Sequence, residues 1–164
     1  MTHNAQLIIY TDGSSRGNPG PGGYGVILIW GKTRKELSQG YRLTTNNRME
    51  LMAVIAGLSA LTKEGLNIVI YSDSAYVVKA VEEKWLFGWI KKDFAGGKKN
   101  KDLWLQFYAL YKKHQVRFVW VKGHADNPYN NRCDELATAA ADGNHLLVDE
   151  GYEGNEGRNE RMKE

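Results

Sequence analysis

Two short segments of the sequence place an aspartate directly after an apolar run. In LIIYTDGS an apolar run is followed by Tyr, Thr and then Asp12. In IVIYSDSA an apolar run is followed by Tyr, Ser and then Asp73. If both runs are strands and the strands are parallel neighbours, the two carboxylates emerge side by side, because adjacent strands lie ~4.8 Å apart. Two carboxylates at such a short distance repel each other unless one is protonated or a cation lies between them. A divalent cation that takes oxygen ligands would remove this repulsion.

Two further acidic residues occur near the starts of predicted helices. Glu50 lies in RMELMAVIAGL, where many apolar residues must face a core, and Asp134 lies in NNRCDELATAAA. Both have a simpler interpretation, because the helix dipole favours an acidic side chain in the first turn. In the second helix either Asp134 or Glu135 can fill that role. Taken singly, neither residue indicates a metal site.

The elements that must position these residues follow an α/β pattern. The predicted strands cover 5–12, 23–30, 36–43, 67–73 and 116–123, and the predicted helices cover 44–65, 74–84, 102–115 (with Asp102 as N-cap) and 130–143. Three consecutive strands followed by strand–helix alternation predict a five-stranded mixed sheet, antiparallel and then parallel, flanked by helices. One domain over residues 1–143 is expected, followed by an acidic, Gly-rich tail over 144–164 that we expect to be mobile.

Composition excludes several classes of protein. The chain has 164 residues, 42% of them hydrophobic and 25% charged, which is ordinary for a globular domain. No apolar run approaches the ~20 residues of a membrane helix, and residues 1–6 do not form a signal peptide. Cys133 is the single cysteine, which excludes internal disulfides and cysteine-based zinc clusters. We expect a cytoplasmic protein that does not contact a membrane.

Charge is distributed unevenly along the chain. Residues 84–122 carry 10 Lys/Arg against 2 Asp/Glu, whereas residues 123–164 carry 4 against 10. Local concentration of positive charge is typical of proteins that bind a polyanion, although a solvated basic face is the simpler alternative.

Four motifs occur together in a specific order: YTDGSSRGNPGPGGYG, TTNNRMELMA, YSDSAYV and WVKGHADNPYNNRCDELA. In order and spacing they resemble the type 1 ribonucleases H of bacteria, over residues 5 to about 142. The resemblance implies the ribonuclease H-like fold and an endonuclease acting as a monomer. Its expected reaction is hydrolysis of the RNA strand of RNA–DNA hybrids, leaving 5′-phosphate and 3′-hydroxyl ends.

The resemblance also implies which residues carry the chemistry. Asp12, Glu50, Asp73 and Asp134 match four metal-binding carboxylates, which would hold two Mg²⁺ ions when substrate is bound, with Asp12 bridging them and Mn²⁺ as a substitute. His124 matches a loop histidine, for which proton relay and assistance to product release are both open. A solvated loop histidine is the simpler alternative for that residue.

Substrate contacts follow from the same resemblance. The residues implied to contact the minor groove, where the 2′-hydroxyl distinguishes RNA from DNA, are Asn18, Thr45, Asn46, Asn47 and Glu50. The TTNN segment can equally cap a helix, and both roles can hold together.

The basic segment KWLFGWIKKDFAGGKKNKDLW (residues 84–104) resembles the protrusion with which this family straddles the DNA strand. The lysines placed for phosphates are Lys91, Lys92, Lys98, Lys99 and Lys101. Trp85 and Trp89 are one helical turn apart, so they either line the groove or pack in the core. The sequence departs from the family pattern at Ala75, where several bacterial relatives carry Gln, and in the shorter basic loop.

Three other functions remain open at this point. They are a hybrid-binding module without catalysis, another nuclease of the same fold such as an integrase or Holliday-junction resolvase, and a ribonuclease H domain cut from a polymerase polyprotein. The complete carboxylate set with His124 favours catalysis, and TTNNRMEL with VKGHADNPYNNRCDELA favours ribonuclease H over the other nucleases. A methionine just before the first strand fits a free-standing enzyme better.

Overall fold

The strand that carries Asp12 lies at the centre of a mixed sheet. The computed structural model describes residues 6–121 and 127–154. In chain order, the strands of the predicted sheet are β1 (Gln6–Ser15), β2 (Gly20–Trp30), β3 (Thr33–Thr44), β4 (Asn67–Ser72) and β5 (Gln115–Trp120). β1 pairs antiparallel with β2 and parallel with β4, β2 pairs antiparallel with β3, and β4 pairs parallel with β5. The predicted mixed sheet, antiparallel and then parallel, is confirmed.

The tail differs from its prediction. A sixth strand in the described chain, β6 (Leu146–Leu147), pairs parallel with β3 at Gly40 and Tyr41, so the sheet order is β5-β4-β1-β2-β3-β6. Residues 150–154 then form a helical turn. The expectation of a mobile tail is therefore wrong for residues 144–154. The expectation of five strands is also wrong, because the described sheet has six. The physical reason is an ion pair, because the Asp149 side chain is buried against Arg48, 101 positions earlier in the chain.

The four predicted helices are present, and a further helix over Trp85–Lys91 was not predicted. They are α1 (Asn46–Ser59), α2 (Ala75–Glu82), α3 (Trp85–Lys91), α4 (Lys101–Tyr111) and α5 (Pro128–Ala141). α1 ends six residues before Gly65, whose N–H instead donates to the carbonyl of Lys113 at 2.7 Å. Asp102 is not the N-cap of α4. Asn100 occupies that position, and Asp102 lies in the first turn, where it pairs with Arg48.

The two faces of the sheet are covered by different helices. On one face, α1, α2 and α4 enclose the main core, in which Ile9, Leu51 and Trp104 are fully buried. α5 packs on the other face against β1, β2 and β3. A Cβ added at Gly25 or Gly40 would collide with a backbone carbonyl of α5, so these glycines permit the close approach. In the described ranges no helix is long and apolar enough to cross a membrane.

Candidate active site

Strand register places two of the predicted carboxylates together. The parallel pairing of β1 with β4 ends at Thr11 opposite Ser72, so Asp12 and Asp73 follow the last paired residues. Asp12 is not at the end of its strand, however, because β1 continues to Ser15 along β2. The indole Nε1 of Trp120 donates a hydrogen bond to the Asp73 carbonyl at 3.2 Å, which connects the end of β5 to the backbone of Asp73.

Glu50 reaches the same place from α1. The N–H of Gly13 donates to both the Asp12 carboxylate, at 2.9 Å, and the Glu50 carboxylate. A Cβ at Gly13 would lie 2.6 Å from the Glu50 nitrogen and closer still to the Met49 carbonyl, so only glycine lets α1 approach β1 this closely. The first-turn interpretation of Glu50 is therefore wrong, because α1 begins at Asn46, has no acidic residue in its first turn, and holds the Glu50 side chain buried.

The three carboxylates form a compact group. One oxygen from each of Asp12, Glu50 and Asp73 lies within 4.8 Å of the others. Burial, together with the charge of Asp73, raises the pKa of Asp12 to about 7. Burial, followed by the charges of Asp12 and Asp73, also raises the pKa of Glu50 well above its usual range. These oxygens repel one another without a counter-charge, and an all-oxygen donor set of this kind suits a hard divalent cation.

We expect the metal-free protein to lose stability relative to its Asp12→Asn variant as the pH rises from about 4 to about 7. The unfolded chain ionises Asp12 near pH 4, whereas the folded chain keeps it protonated up to about pH 7. The unfolded state thus binds fewer protons in this window, so the free energy of unfolding falls as the pH rises. Thermal unfolding of both proteins in EDTA measures the difference, and parallel pH profiles would contradict the prediction.

The other two predicted catalytic residues stand apart from this group. Asp134 is exposed on α5 and is not within the group of three, although its charge contributes to the raised pKa of Asp12. His124 belongs to residues 122–126, which lie outside the described residues. The structure thus brings together Asp12, Glu50 and Asp73, with Asp134 near them.

The predicted minor-groove residues surround the start of α1. The backbone N–H of Asn46 donates to Asn18 Oδ1 at 3.0 Å, and the Ser15 N–H donates to Asn46 Oδ1 at 2.7 Å. Thr45 is the N-cap of α1 and accepts a hydrogen bond from the Arg48 N–H at 3.2 Å. The capping role of this segment is confirmed, and Asn47 is exposed in the same turn. Contact of these residues with a hybrid stays a prediction.

The two tryptophans of the basic segment line one cleft. Trp85 is 47% exposed, whereas Trp89 is half-buried and packs edge-on against Trp104 at 5.9 Å. Trp89 thus belongs both to the core boundary and to the cleft. The Nζ of Lys98 lies 5.4 Å from the Trp89 ring centre, a cation–π distance.

Basic side chains connect this cleft to the start of α1. The tryptophan cleft has a volume of about 790 Å³ and includes Lys92, Lys98 and Lys99 in its lining. A second cleft of about 810 Å³ runs beside Asn18 and Thr45. Both clefts are lined by Asn47, Lys98, Lys99 and Asn100. Lys91 is exposed and lies outside both linings.

A buried arginine two residues before Glu50 was not predicted from the sequence. The guanidinium of Arg48 is 3% exposed and donates to Asp149 at 2.7 and 2.9 Å and to Asp102 at 3.0 and 2.7 Å. Thr44 Oγ1 also donates to Asp149, at 2.7 Å. Although burial acts in the opposite direction, the hydrogen bonds and charge of Arg48 lower the pKa of Asp102. One signal was available, because an arginine within an apolar helix requires acidic partners.

Comparison with known proteins relates this site to a family. The family model for RNase H matches residues 4–142. A ribonuclease H from Lachnoclostridium phytofermentans is 55% identical over 154 residues, covering 88% of this chain and 97% of that relative. The structure of LC9-RNase H1, a type 1 RNase H with the type 2 active-site motif, is similar at a TM-score of 0.77 and 29% identity, covering 94% of this chain and 82% of the other. LC11-RNase H1 in complex with RNA/DNA hybrid is similar at a TM-score of 0.63 and 26% identity, covering 83% and 96%.

Proposed function

Because this chain belongs to the ribonuclease H family, we propose that it is an endonuclease that hydrolyses the RNA strand of RNA–DNA hybrids and leaves 5′-phosphate and 3′-hydroxyl ends. The observation that carries the proposal is the compact group of Asp12, Glu50 and Asp73. The substrate class is supported by the relative LC11-RNase H1, which is known in complex with an RNA/DNA hybrid.

Mg²⁺ is the ion we propose for the carboxylates, with Mn²⁺ as an alternative, since every donor is an oxygen. Two such ions, when bound with the hybrid, supply the Lewis acidity that activates water and stabilises the leaving 3′-oxygen. The residues that would hold these ions are Asp12, Glu50, Asp73 and Asp134. The Gly13 N–H orients two of them, because it donates to both Asp12 and Glu50.

His124 is proposed as an auxiliary residue. Imidazole is the side chain whose charge ordinarily changes between pH 5 and 8, which suits a histidine to relay a proton or to assist release of the product. The three carboxylates of Asp12, Glu50 and Asp73 remain the centre of the reaction in either case, because most of the charge stabilisation depends on the ions that they hold.

A cleavage assay on matched duplexes tests the proposed function. End-labelled RNA–DNA, RNA–RNA and DNA–DNA duplexes of one sequence are incubated with the protein in Mg²⁺ or in EDTA. We expect the RNA strand of the hybrid to be cleaved in Mg²⁺ and not in EDTA. The products should carry a free 3′-hydroxyl, which a poly(A) polymerase extends. Equal cleavage of the DNA duplex, or cleavage in EDTA, would contradict the proposal.

We further propose that the two clefts hold the hybrid, with Asn18, Thr45, Asn46 and Asn47 at the minor groove. In this arrangement Trp85 and Trp89 contact sugars of the DNA strand and the neighbouring lysines contact its phosphates. The lysines Lys98 and Lys99 support this assignment, because they line both the cleft beside Asn18 and Thr45 and the tryptophan cleft.

Replacing Lys91, Lys92, Lys98 and Lys99 together by Gln is expected to raise the KM for hybrid far more than it lowers kcat. Binding energy that is removed equally from the ground state and the transition state changes KM and leaves kcat unaltered. The dependence of log affinity on log salt should also flatten by roughly 0.7 to 0.9 for each phosphate interaction removed, about 3 in total. Hybrid binding in Ca²⁺, measured over a range of salt concentrations, gives this slope.

Four other exposed lysines provide the matched control. Lys32, Lys35, Lys63 and Lys112 are exposed and lie outside both clefts, so their replacement by Gln makes the same change in net charge. We expect this control to keep most of the salt slope. Equal slopes in the two quadruple variants would show that the basic segment is only a solvated face.

A further inference from the structure

Three tyrosine rings form a continuous stack on the α5 side of the sheet. The ring centres of Tyr10 and Tyr71 are 4.7 Å apart, with 14° between the ring planes. Tyr129 also stacks on Tyr10, with ring centres 4.7 Å apart and 22° between the planes. All three side chains are half-buried. The proposed reaction assigns no role to these rings.

Each ring belongs to a segment that carries one of the proposed metal ligands. Tyr10 lies two residues before Asp12, and side chains two apart on a strand point to the same face. Tyr71 likewise lies two residues before Asp73. Tyr129 lies in the first turn of α5, the helix of Asp134. The stack therefore joins, through direct ring contacts, three segments that are far apart in sequence.

The outer end of the stack is held by charged side chains. The guanidinium carbon of Arg34 lies 5.6 Å from the Tyr129 ring centre, and Arg34 Nη2 donates to Glu36 at 2.9 Å. Glu36 also accepts two hydrogen bonds from Arg132 of α5, each at 3.0 Å. α5 is thus attached to the sheet at Tyr129 and again one turn later at Arg132.

We propose that the stack of Tyr71, Tyr10 and Tyr129 is a positioning device. It sets the distance from α5 to the part of the sheet where Asp12 and Asp73 lie. Aromatic rings in contact favour a narrow set of separations, and a tyrosine has few rotatable bonds, so the stack is stiff. Through it Tyr129 holds Asp134 in place relative to Asp12. Tyr129 is therefore a positioning residue and does not itself touch substrate. The inference rests on the proposed function, which assigns Asp134 to the metal ions.

Replacing Tyr129 by Ala is the direct test. Groups that orient metal ligands typically contribute 10–100-fold to metal affinity or activity. We expect Tyr129→Ala to lower kcat about tenfold, with the KM for hybrid within about twofold of wild type. A second readout needs no substrate, because Mg²⁺ titration of the free protein, followed by NMR shifts of the Asp12 and Asp73 amides, should show about tenfold weaker binding.

Two further substitutions at the same position separate the ring from the volume it fills. Tyr129→Phe keeps the stack and should match wild type in kcat and in Mg²⁺ affinity. Tyr129→Leu keeps an apolar side chain but loses the ring, so it should behave like Tyr129→Ala even if the alanine variant does not fold. A phenylalanine variant as impaired as the leucine variant would overturn the proposal.

Tyr108→Ala provides a control for general loss of packing. Tyr108 is half-buried on α4, with its ring 6.1 Å from that of Phe87 and 4.8 Å from Lys112 Nζ, and α4 carries none of the four proposed metal ligands. We expect it to lower the thermal midpoint by a few degrees and to leave kcat unchanged. A kcat loss in Tyr108→Ala equal to that in Tyr129→Ala would overturn the positioning role.

The two readouts distinguish this inference from the proposed function. If wild-type protein cleaves hybrids and Tyr129→Ala keeps full kcat and Mg²⁺ affinity, the inference fails and the proposed function stands. If wild-type protein does not cleave hybrids but Tyr129→Ala weakens Mg²⁺ binding while Tyr129→Phe does not, the proposed function fails and the stack remains a positioning device for the metal site.

Discussion

Replacing Asp12 by Asn is expected to reduce Mg²⁺-dependent cleavage of a hybrid by about a thousandfold or more. The amide matches the carboxylate in volume but carries no charge, and it leaves Glu50 and Asp73 without the ligand that lies within 4.8 Å of both. The charge stabilisation that a bound ion supplies amounts to several kcal/mol, and each 1.4 kcal/mol is about a tenfold change in rate. Single-turnover cleavage at saturating protein measures the effect on the chemical step.

The same variant should remain folded and should be more stable than wild type without metal. Burial and repulsion raise the pKa of Asp12 to about 7, and this cost disappears when the charge is removed. A higher thermal midpoint in EDTA at pH 7 is the expected result. Asp142→Asn is the matched control, since Asp142 is exposed and pairs with Arg16 outside the carboxylate group. Near-normal turnover in Asp12→Asn would contradict the assignment of this residue.

Replacing Arg48 by Ala is expected to destabilise the protein by about 3–5 kcal/mol. The change leaves the carboxylate of Asp149, whose side chain is 1% exposed, without its cation, and it removes two hydrogen bonds from Asp102. For a chain of this length each kcal/mol corresponds to roughly 2–4 °C, so the thermal midpoint should fall by about 10 °C. Urea unfolding followed by circular dichroism gives the free energy directly.

Arg42 supplies the comparison for this prediction. It also pairs with an acidic residue of the tail, Glu153, at 2.9 Å, but its side chain is 60% exposed. Solvent-exposed ion pairs contribute about 0–1 kcal/mol, so Arg42→Ala should change the unfolding free energy little. Equal losses of stability in the two variants would show that burial of Arg48 is not the cause of its contribution.

The strands that carry the site were predictable because their signal is local. The apolar runs before Asp12 and Asp73 identify β1 and β4, and the shared order of residue types indicates that they are parallel neighbours. Thr45 as the cap of α1 is visible for the same reason, since it acts on an N–H three residues away. Glu50 could be interpreted only after α1 was placed over Gly13, because the residues that face it are 37 positions earlier.

The parts that were not predicted depend on contacts between distant residues of ordinary appearance. In composition the tail is acidic and poor in apolar residues, which is typical of a mobile segment, and nothing nearby indicates that Asp149 is buried. Asp102 at a helix start looks like a cap, but it serves Arg48 instead. The tyrosine stack is equally hidden, because Tyr10, Tyr71 and Tyr129 come from three separate elements.

The position of Asp149 in the chain affects how the protein folds as it is synthesised. Arg48 leaves the ribosome about one hundred residues before Asp149, and domains fold as units while synthesis proceeds from the N-terminus. Until residue 149 emerges, Arg48 on the helix that holds Glu50 can pair with Asp102 but not with the buried Asp149. The helix that holds Glu50 therefore gains the buried ion pair at Arg48 only after residue 149 has emerged.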